Sequence, residues 1–416
     1  MPRHAAAHVD LDAVAHNVAT IGDLVRPAEL CVVVKADGYG HGAEDVARVA
    51  LAAGADRLAV ALVEEGQELR DVGIDAPVLL LSQPPVDAMA DAFAAGLTPT
   101  VDTAEGIDAA AAVAAAARST STATRSTSTA TGATTTPWAV HLKVDTGMHR
   151  VGCDPADAVD LARAVLDAGL ELQGTFTHLA VADEPDRPET DEQLEIFAAV
   201  LAELAAAGID PGLRHAANSA AALAHPAARL DLVRVGIATY GVPPSADLEL
   251  PVRLEPAMNV RAEVSRVRSV AAGEGVSYGL RHRFRSPARL AVVPLGYADG
   301  VPRRLGELGA DVLIGGVRRP MRGVVTMDQL VVEVTDGPEV AVGDEVVLIG
   351  RQGDEEITTG EWAEMLGTIS YEIVCGFGPR LPRRHLTRIS HGAGFVDGWA
   401  DRPAGPEPDP SGGGGS

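Results

Sequence analysis

Over the first 240 residues, short β-branched runs alternate with alanine-rich stretches long enough to be helices. That alternation constrains the chain more than any other feature, because strands separated by helices build parallel sheets. Candidate strands cover 30–34, 57–61, 78–82, 97–101, 139–144, 173–178, 213–217 and 232–237. Helical stretches at 42–54, 103–117, 155–169 and 190–208 lie between several of them. Eight strands over this length predict an α/β fold, a parallel (β/α)8 barrel of the TIM type rather than an open sheet.

Lys35, Lys143, His178, Asn218 and Arg234 each fall at or near the end of a candidate strand. In such barrels the C-terminal strand ends carry the chemistry. Lys35 closes the apolar run Cys31-Val32-Val33-Val34 and enters the glycine-rich loop KADGYGHG. A lysine partly desolvated there has a lowered pKa, and its neutral amine can form a Schiff base with a carbonyl. An isolated strand-end lysine ordinarily points to water. Here Gly38, Tyr39, Gly40, His41 and Gly42 describe a backbone that must approach a ligand closely. The chain has five tyrosines, each beside a glycine or serine. Small neighbours suit a hydroxyl aimed into a cleft, although turn-packing aromatics look the same.

Residues 117–137 form a Ser/Thr/Ala insert with a near-repeat of RSTSTAT, expected to be a surface loop between barrel elements. After Pro243-Pro244 the pattern changes to valine-rich runs with glycine turns: 260–270, 289–295, 311–319, 322–326, 329–335 and 344–349, with one helix at 360–366. This predicts a mostly β second domain. The expected division is a barrel over 1–245, a β domain over 246–388 and a Gly/Pro/Ser-rich tail, largely disordered, over 389–416.

The formal charge is −24 with no basic stripe, which argues against nucleic acid and anionic membranes as partners. Cys31, Cys153 and Cys375 form no CxxC pair, so no structural zinc or other metal site is expected and the compartment is reducing. No long uncharged apolar run appears, and MPRHAAAHVDLDAV lacks the apolar core of a signal peptide. The expectation is a cytoplasmic protein.

Ordered motifs across both domains then carry a resemblance. KADGYGHG is followed by LKVDTGMHRVG (142–152), TFTHLAVAD (175–183), HAANSAA (215–221), RVGIATYG (234–241), VSYG (276–279), GYADG (296–300), TMDQ (326–329) and SYEI (370–373). From about residue 8 to 385 the chain resembles the alanine racemases, fold-type III pyridoxal-phosphate enzymes that interconvert L- and D-alanine and supply D-alanine for peptidoglycan. The resemblance implies that a first strand near 7–11 pairs with the β domain. It implies pyridoxal 5'-phosphate as cofactor, held covalently by Lys35. Tyr39, Ser219, Gly236, Ile237 and Tyr371 are implied to bind its phosphate, with Asn218 and His178 nearby, and Arg234 to face its pyridine nitrogen. Hydroxyls and backbone N–H groups after barrel strands seven and eight suit a phosphate.

Arg150 and Met327 are implied substrate contacts. Lys143 matches a lysine that is carbamylated in many members. Tyr278 is implied as the base opposite Lys35, and Tyr278 and Met327 are implied to serve the site of a second subunit, which makes the enzyme a homodimer.

Racemisation removes the α-proton from one face and returns it to the other, so two bases serve better than one. A tyrosine, with an unperturbed pKa of about 10, needs cationic help from a neighbouring arginine or histidine, and His178 and His215 are chemically suitable. Arg234 cannot readily protonate the ring nitrogen, which limits carbanion lifetime and side reactions. His149 stands where glycine is usual before Arg150, and Asp37-Gly38 stand for the commoner Asn-Ala. A decarboxylase of the same fold would present an acidic residue to the ring nitrogen, against Arg234. A single-domain pyridoxal-phosphate-binding protein would stop at the barrel. A broader amino-acid racemase stays open.

Overall fold

The computed structural model describes residues 3–120 and 138–387. The first strand is β1 (Ala5–Asp10). Then come β2 (Glu29–Val33), β3 (Arg57–Val60), β4 (Val78–Leu80), β5 (Thr100–Val101), β6 (Ala139–Lys143), β7 (Glu171–Phe176), β8 (Leu213–His215) and β9 (Leu232–Val235). Strands β2 to β9 coincide with the eight expected ones. They pair in parallel as β4-β3-β2-β9 and as β5-β6-β7-β8. The Leu79–Thr98 bridge joins one seam, and the Arg234 N–H, donating to the Ala217 carbonyl at 3.0 Å, joins the other. The ring is therefore closed, which leaves no barrel edge unpaired.

The four expected helices are present at Ala43–Ala52, Ala104–Thr120, Ala158–Asp167 and Glu189–Ala206. The structure adds Leu11–Val25, Val63–Asp71, Met89–Ala94 and Ser219–Ala224. Leu11–Val25 starts where the Asp10 carboxylate accepts the Asp12 and Ala13 N–H groups, each at 3.0 Å. Its Val14, Val18, Ile21 and Val25 recur at helical spacing and are buried. Residues 117–120 of the expected insert continue the helix Ala104–Thr120 rather than opening a loop. The rest of the insert and the tail from 388 lie outside the described residues.

The second unit contains β10 (Met258–Glu263), β11 (Arg266–Val270), β12 (Gly275–Val276), β13 (His282–Arg283), β14 (Ala288–Val293), β15 (Asp311–Ile314), β16 (Val317–Pro320), β17 (Leu330–Glu333), β18 (Glu345–Gln352), β19 (Glu355–Ile357) and β20 (Arg383–Leu386). Three expected runs are corrected. The run 260–270 is two strands in different sheets. The run 311–319 is a hairpin, because Gly315 and Gly316 take φ of +65° and +72° and reverse the chain. The run 322–326 forms no strand. Helices also occur at Leu305–Leu308 and Ser370–Gly376, beside the expected one at Thr359–Leu366.

The main sheet of this unit runs β16-β15-β18-β10-β1-β20, so the N-terminal strand belongs to it, as implied. Strand β1 is antiparallel to β10 and parallel to β20. That exchange ties the two units together and lays β20, an edge strand, against the barrel's first loop. One apolar core runs through both, from Val32 and Val233 in the barrel to Val346 and Trp362 beyond it.

Candidate active site

A cavity of about 470 Å³ opens at the C-terminal ends of the barrel strands. Lys35, Tyr39, Lys143, Arg150, His178, Asn218, Ser219, Arg234, Gly236, Ile237 and Tyr371 all line it. Eleven of the thirteen sequence-selected residues are thus brought together. Tyr278 and Met327 are not: their side chains stand 72% and 51% exposed, and neither lines the cavity of its own chain. The chain has only two lysines, Lys35 and Lys143, and both are here.

Lys35 follows β2 and opens an unusual turn. Ala36, Asp37, Gly38 and Tyr39 are all left-handed, with φ between 52° and 60°. Three of them carry a Cβ, and each costs about 1–2 kcal/mol in that conformation. Local bonds offset part of this. The Ala36 N–H donates to Glu65 Oε1 at 2.7 Å, and the Ala43 N–H to Asp37 Oδ1 at 2.9 Å. Burial, and secondarily the Arg150 guanidinium, lower the Lys35 pKa, which favours the neutral nucleophilic amine. Glu65 escaped the sequence reading; its signal is the position three residues into a helix start, where it also accepts the Ala61 and Leu62 N–H groups at 2.8 and 3.1 Å.

Arg234, at the end of β9, is 3% exposed. It donates to His215 Nδ1 at 2.8 Å and to the Thr177 and Ala216 carbonyls at 2.8 and 2.9 Å. Among the described residues Nε has no protein partner, so its N–H is left for a ligand. Its Cζ lies 5.1 Å from the Phe176 ring centroid. Burial lowers the Arg234 pKa to about 10, which leaves it charged at neutral pH.

Burial, reinforced by Arg234, holds His178 and His215 well below the usual imidazole range, so both are neutral. Neither histidine suggested from sequence as the cation that assists a tyrosine carries charge here, and Arg234 is the buried cation beside them. His215 continues to His141 at 2.8 Å, a residue the sequence reading missed because strand alternation hides it in the barrel core.

At the other end of the cavity, Ser219 begins the helix Ser219–Ala224, whose preceding Asn218 side chain accepts the Ala221 N–H at 3.0 Å. The Gly236 N–H donates to Ser219 Oγ at 2.9 Å. A Cβ on Gly236 would sit 2.4 Å from the Tyr39 hydroxyl. Glycine there keeps open a cradle of hydroxyls and backbone N–H groups suited to a phosphate. The Tyr39 and Tyr371 ring centroids are 6.2 Å apart.

Lys143, at the end of β6, donates to the Leu81 carbonyl at 2.9 Å. Burial first, then Arg234 and Arg150, lower its pKa to about 8. His149 lies outside the cavity with φ 54°, its Nδ1 3.6 Å from Asp145 Oδ2. Cys31, Cys153 and Cys375 are free thiols, and Cys375 also lines the cavity.

A closed (β/α)8 barrel with a lysine after its first strand, an arginine at the end of its last, an anion cradle between and a β domain locked on through β1 defines a two-domain barrel enzyme of the fold-type III class. Comparison with known proteins narrows the class. The alanine racemase N-terminal domain model matches residues 9–244 and the C-terminal domain model residues 257–385. The alanine racemase of Symbiobacterium thermophilum is 48% identical over 380 residues, 91% of this chain and 96% of that protein. That of Thermobifida fusca is 44% identical over 391 residues, covering 92% and 98%. The crystal structure of alanine racemase from Streptomyces lavendulae superposes with a TM-score of 0.82 at 38% identity, covering 93% and 98%. That from Bacillus anthracis with bound L-Ala-P gives 0.81 at 37%, covering 93% and 96%. The chain belongs to the alanine racemase family.

Proposed function

We propose that the enzyme interconverts L- and D-alanine with pyridoxal 5'-phosphate, through one base from each of two subunits. The observation that carries this is the pairing inside one cavity of a lysine of lowered pKa with a buried arginine and an anion cradle. The residues fit the cofactor. Lys35 would hold it covalently, and Tyr39, Ser219, Gly236, Ile237 and Tyr371 would hold its phosphate, beside Asn218 and His178. Arg234 would direct its Nε–H to the ring nitrogen. Bound cofactor draws electrons from the substrate α-carbon and so makes the α-proton removable.

The chain's own groups then handle that proton. Lys35 Nζ takes it from, or returns it to, one face, serving the D-enantiomer. The Tyr278 hydroxyl of a second copy serves the opposite face and the L-enantiomer. Arg234 stays protonated at neutral pH and gives no proton to the ring nitrogen, which favours return of the α-proton over side reactions. Arg150 and a second copy's Met327 contact the substrate. A buried amine with a pKa of about 8 is nucleophilic toward carbon dioxide, and this supports carbamylation of Lys143.

The reading makes residues 1–245 the unit with most of the cofactor contacts, and 246–388 the unit that adds Tyr371 to its own chain's site and completes a neighbour's. The tips of the β unit support the dimer: Tyr278, Leu280, Tyr297 and Met327 are large apolar side chains left exposed on one chain. Three free cysteines support a reducing, cytoplasmic setting, where D-alanine would enter peptidoglycan synthesis. No helix among the described residues is long and apolar enough to cross a membrane.

Racemisation of L-alanine, L-serine and L-lysine, compared by kcat/KM, tests the assignment. Alanine is expected to lead by at least about tenfold. Equal turnover of all three would make this a broad amino-acid racemase instead, and no turnover of alanine would contradict the proposal.

A further inference from the structure

The left-handed turn after Lys35 is not held by its own domain alone. Strand β20, more than 340 residues away in sequence, closes over it. Arg383 Nε donates to the Gly40 carbonyl at 2.8 Å. The other guanidinium nitrogens of Arg383 donate to the Gly378 and Leu381 carbonyls, each at 2.7 Å, and to the Phe377 carbonyl. His385 Nε2 lies 2.7 Å from the His41 carbonyl and Nδ1 2.8 Å from Asp45 Oδ2. Both acceptors are oxygens, so both ring nitrogens donate when the two bonds coexist.

The fit is close on the barrel side as well. A Cβ on Gly42 would meet the His385 ring at 2.6 Å, and one on Gly40 would meet the Val374 carbonyl at 2.5 Å. Gly40 and Gly42 have φ of +78° and +93°. The segment 36–42 thus spends backbone strain on a shape whose carbonyls point at a distant strand. Two consecutive carbonyls, of Gly40 and His41, are each taken by a different side chain of β20. Glu65 and Asp37 engage the beginning and the exit of the turn, and His41 Nδ1 lies 3.1 and 2.9 Å from the Gly38 and Tyr39 carbonyls, so β20 adds the restraint on the Gly40 and His41 carbonyls and on the His41 that holds the middle.

We propose that Arg383 and His385 are positioning residues: strand β20 is a clasp that selects the left-handed form of 36–42 and so fixes the direction from which Lys35 enters the cavity. The proposal deepens the reading of Lys35 as the cofactor lysine and rests on it. Arg383 and His385 do not line the cavity. Their effect on the cofactor passes through backbone carbonyls.

The test uses the full-length protein and the variants Arg383→Gln, His385→Ala and Asp45→Asn. Asp45→Asn leaves β20 itself untouched and keeps the proposal testable should a strand variant fold poorly. The first measurement is amide hydrogen exchange by mass spectrometry on cofactor-free protein. The expected result is about tenfold or faster exchange confined to residues 35–43. Unchanged exchange there overturns the clasp. Exchange raised equally through β1, β10 and β20 also overturns it, because that outcome describes sheet stability alone.

The second measurement is visible circular dichroism after adding pyridoxal phosphate, expected to fall by about half or more while borohydride still fixes the cofactor on Lys35. A dichroic band of unchanged size overturns the link from clasp to lysine. Fixation on no lysine in the unmodified protein would instead remove the cofactor reading, while the exchange result stands by itself. Because Lys35 and Lys143 are the only lysines, a single peptide map separates these outcomes.

Discussion

The barrel mouth and the tip of the β unit stand at opposite extremes of organisation. At the mouth the central polar groups are buried and engaged: Arg234 by His215 and two carbonyls, Lys143 by a carbonyl, Ser219 by a backbone N–H. At the tip, Tyr278 and Met327 sit largely in solvent, Tyr278 on a short hairpin whose Ser277 and Leu280 have φ of 62° and 47° and Met327 on the loop between β16 and β17. An exposed aromatic on a strained turn, with no work on its own chain, is costly unless another surface receives it. Under the proposed function, the contrast teaches that one chain would carry a finished cofactor pocket and an unfinished substrate pocket.

The largest expected effect breaks the mouth. Lys35→Ala should abolish the visible absorbance of bound cofactor, in the region of about 420 nm, and lower racemisation at least about a thousandfold. A spectrum unchanged from the parent would contradict the role given to Lys35. Next comes the tip. Tyr278→Phe should slow α-proton exchange from L-alanine by about 10²–10⁴-fold, with a smaller loss from D-alanine, measured by deuterium wash-in. Equal retention on both enantiomers would remove Tyr278 as a base.

A smaller effect sharpens the cradle. Gly236→Ala forces a Cβ to within 2.4 Å of the Tyr39 hydroxyl unless Tyr39 moves. Cofactor affinity, read by absorbance titration, should fall about tenfold. The smallest effect concerns Lys143. Its pKa is lowered to about 8, so the neutral amine grows as pH rises through that value. With 13C-bicarbonate, a carbamate NMR signal should increase from about pH 6.5 to 8.5 and be absent from Lys143→Ala. A signal that falls with rising pH would contradict the assignment.

The contrast between mouth and tip also governs what the sequence revealed. Strands β2 to β9 were legible because burial on both faces makes them continuous apolar runs, and because Lys35, Lys143 and Arg234 end such runs abruptly. The hairpin Asp311–Pro320 read as one strand, since two glycines signal a turn only when the chain is known to reverse there. Helices such as Val63–Asp71, polar and short, gave little periodicity.

The left-handed turn at 36–39 was out of reach for a different reason. KADGYGHG announces flexibility, but the conformation depends on Arg383 and His385, whose proximity only the fold supplies. Tyr278 was chosen through family resemblance; nothing in VSYG itself says that the side chain stays exposed. The neutral state of His178 and His215 followed only once their burial beside Arg234 was seen.

The central claim is that each active site takes its lysine from one chain and its tyrosine from another. Mixing Lys35→Ala and Tyr278→Phe proteins after reversible dissociation tests it directly. A mixed dimer would carry one doubly damaged site and one intact site. Random re-association makes half the dimers mixed, each with one good site of two. Activity should therefore recover to about a quarter of the parent value from two nearly inactive proteins. If the mixture stays as inactive as its components, the two bases belong to the same chain and the shared-site account is wrong.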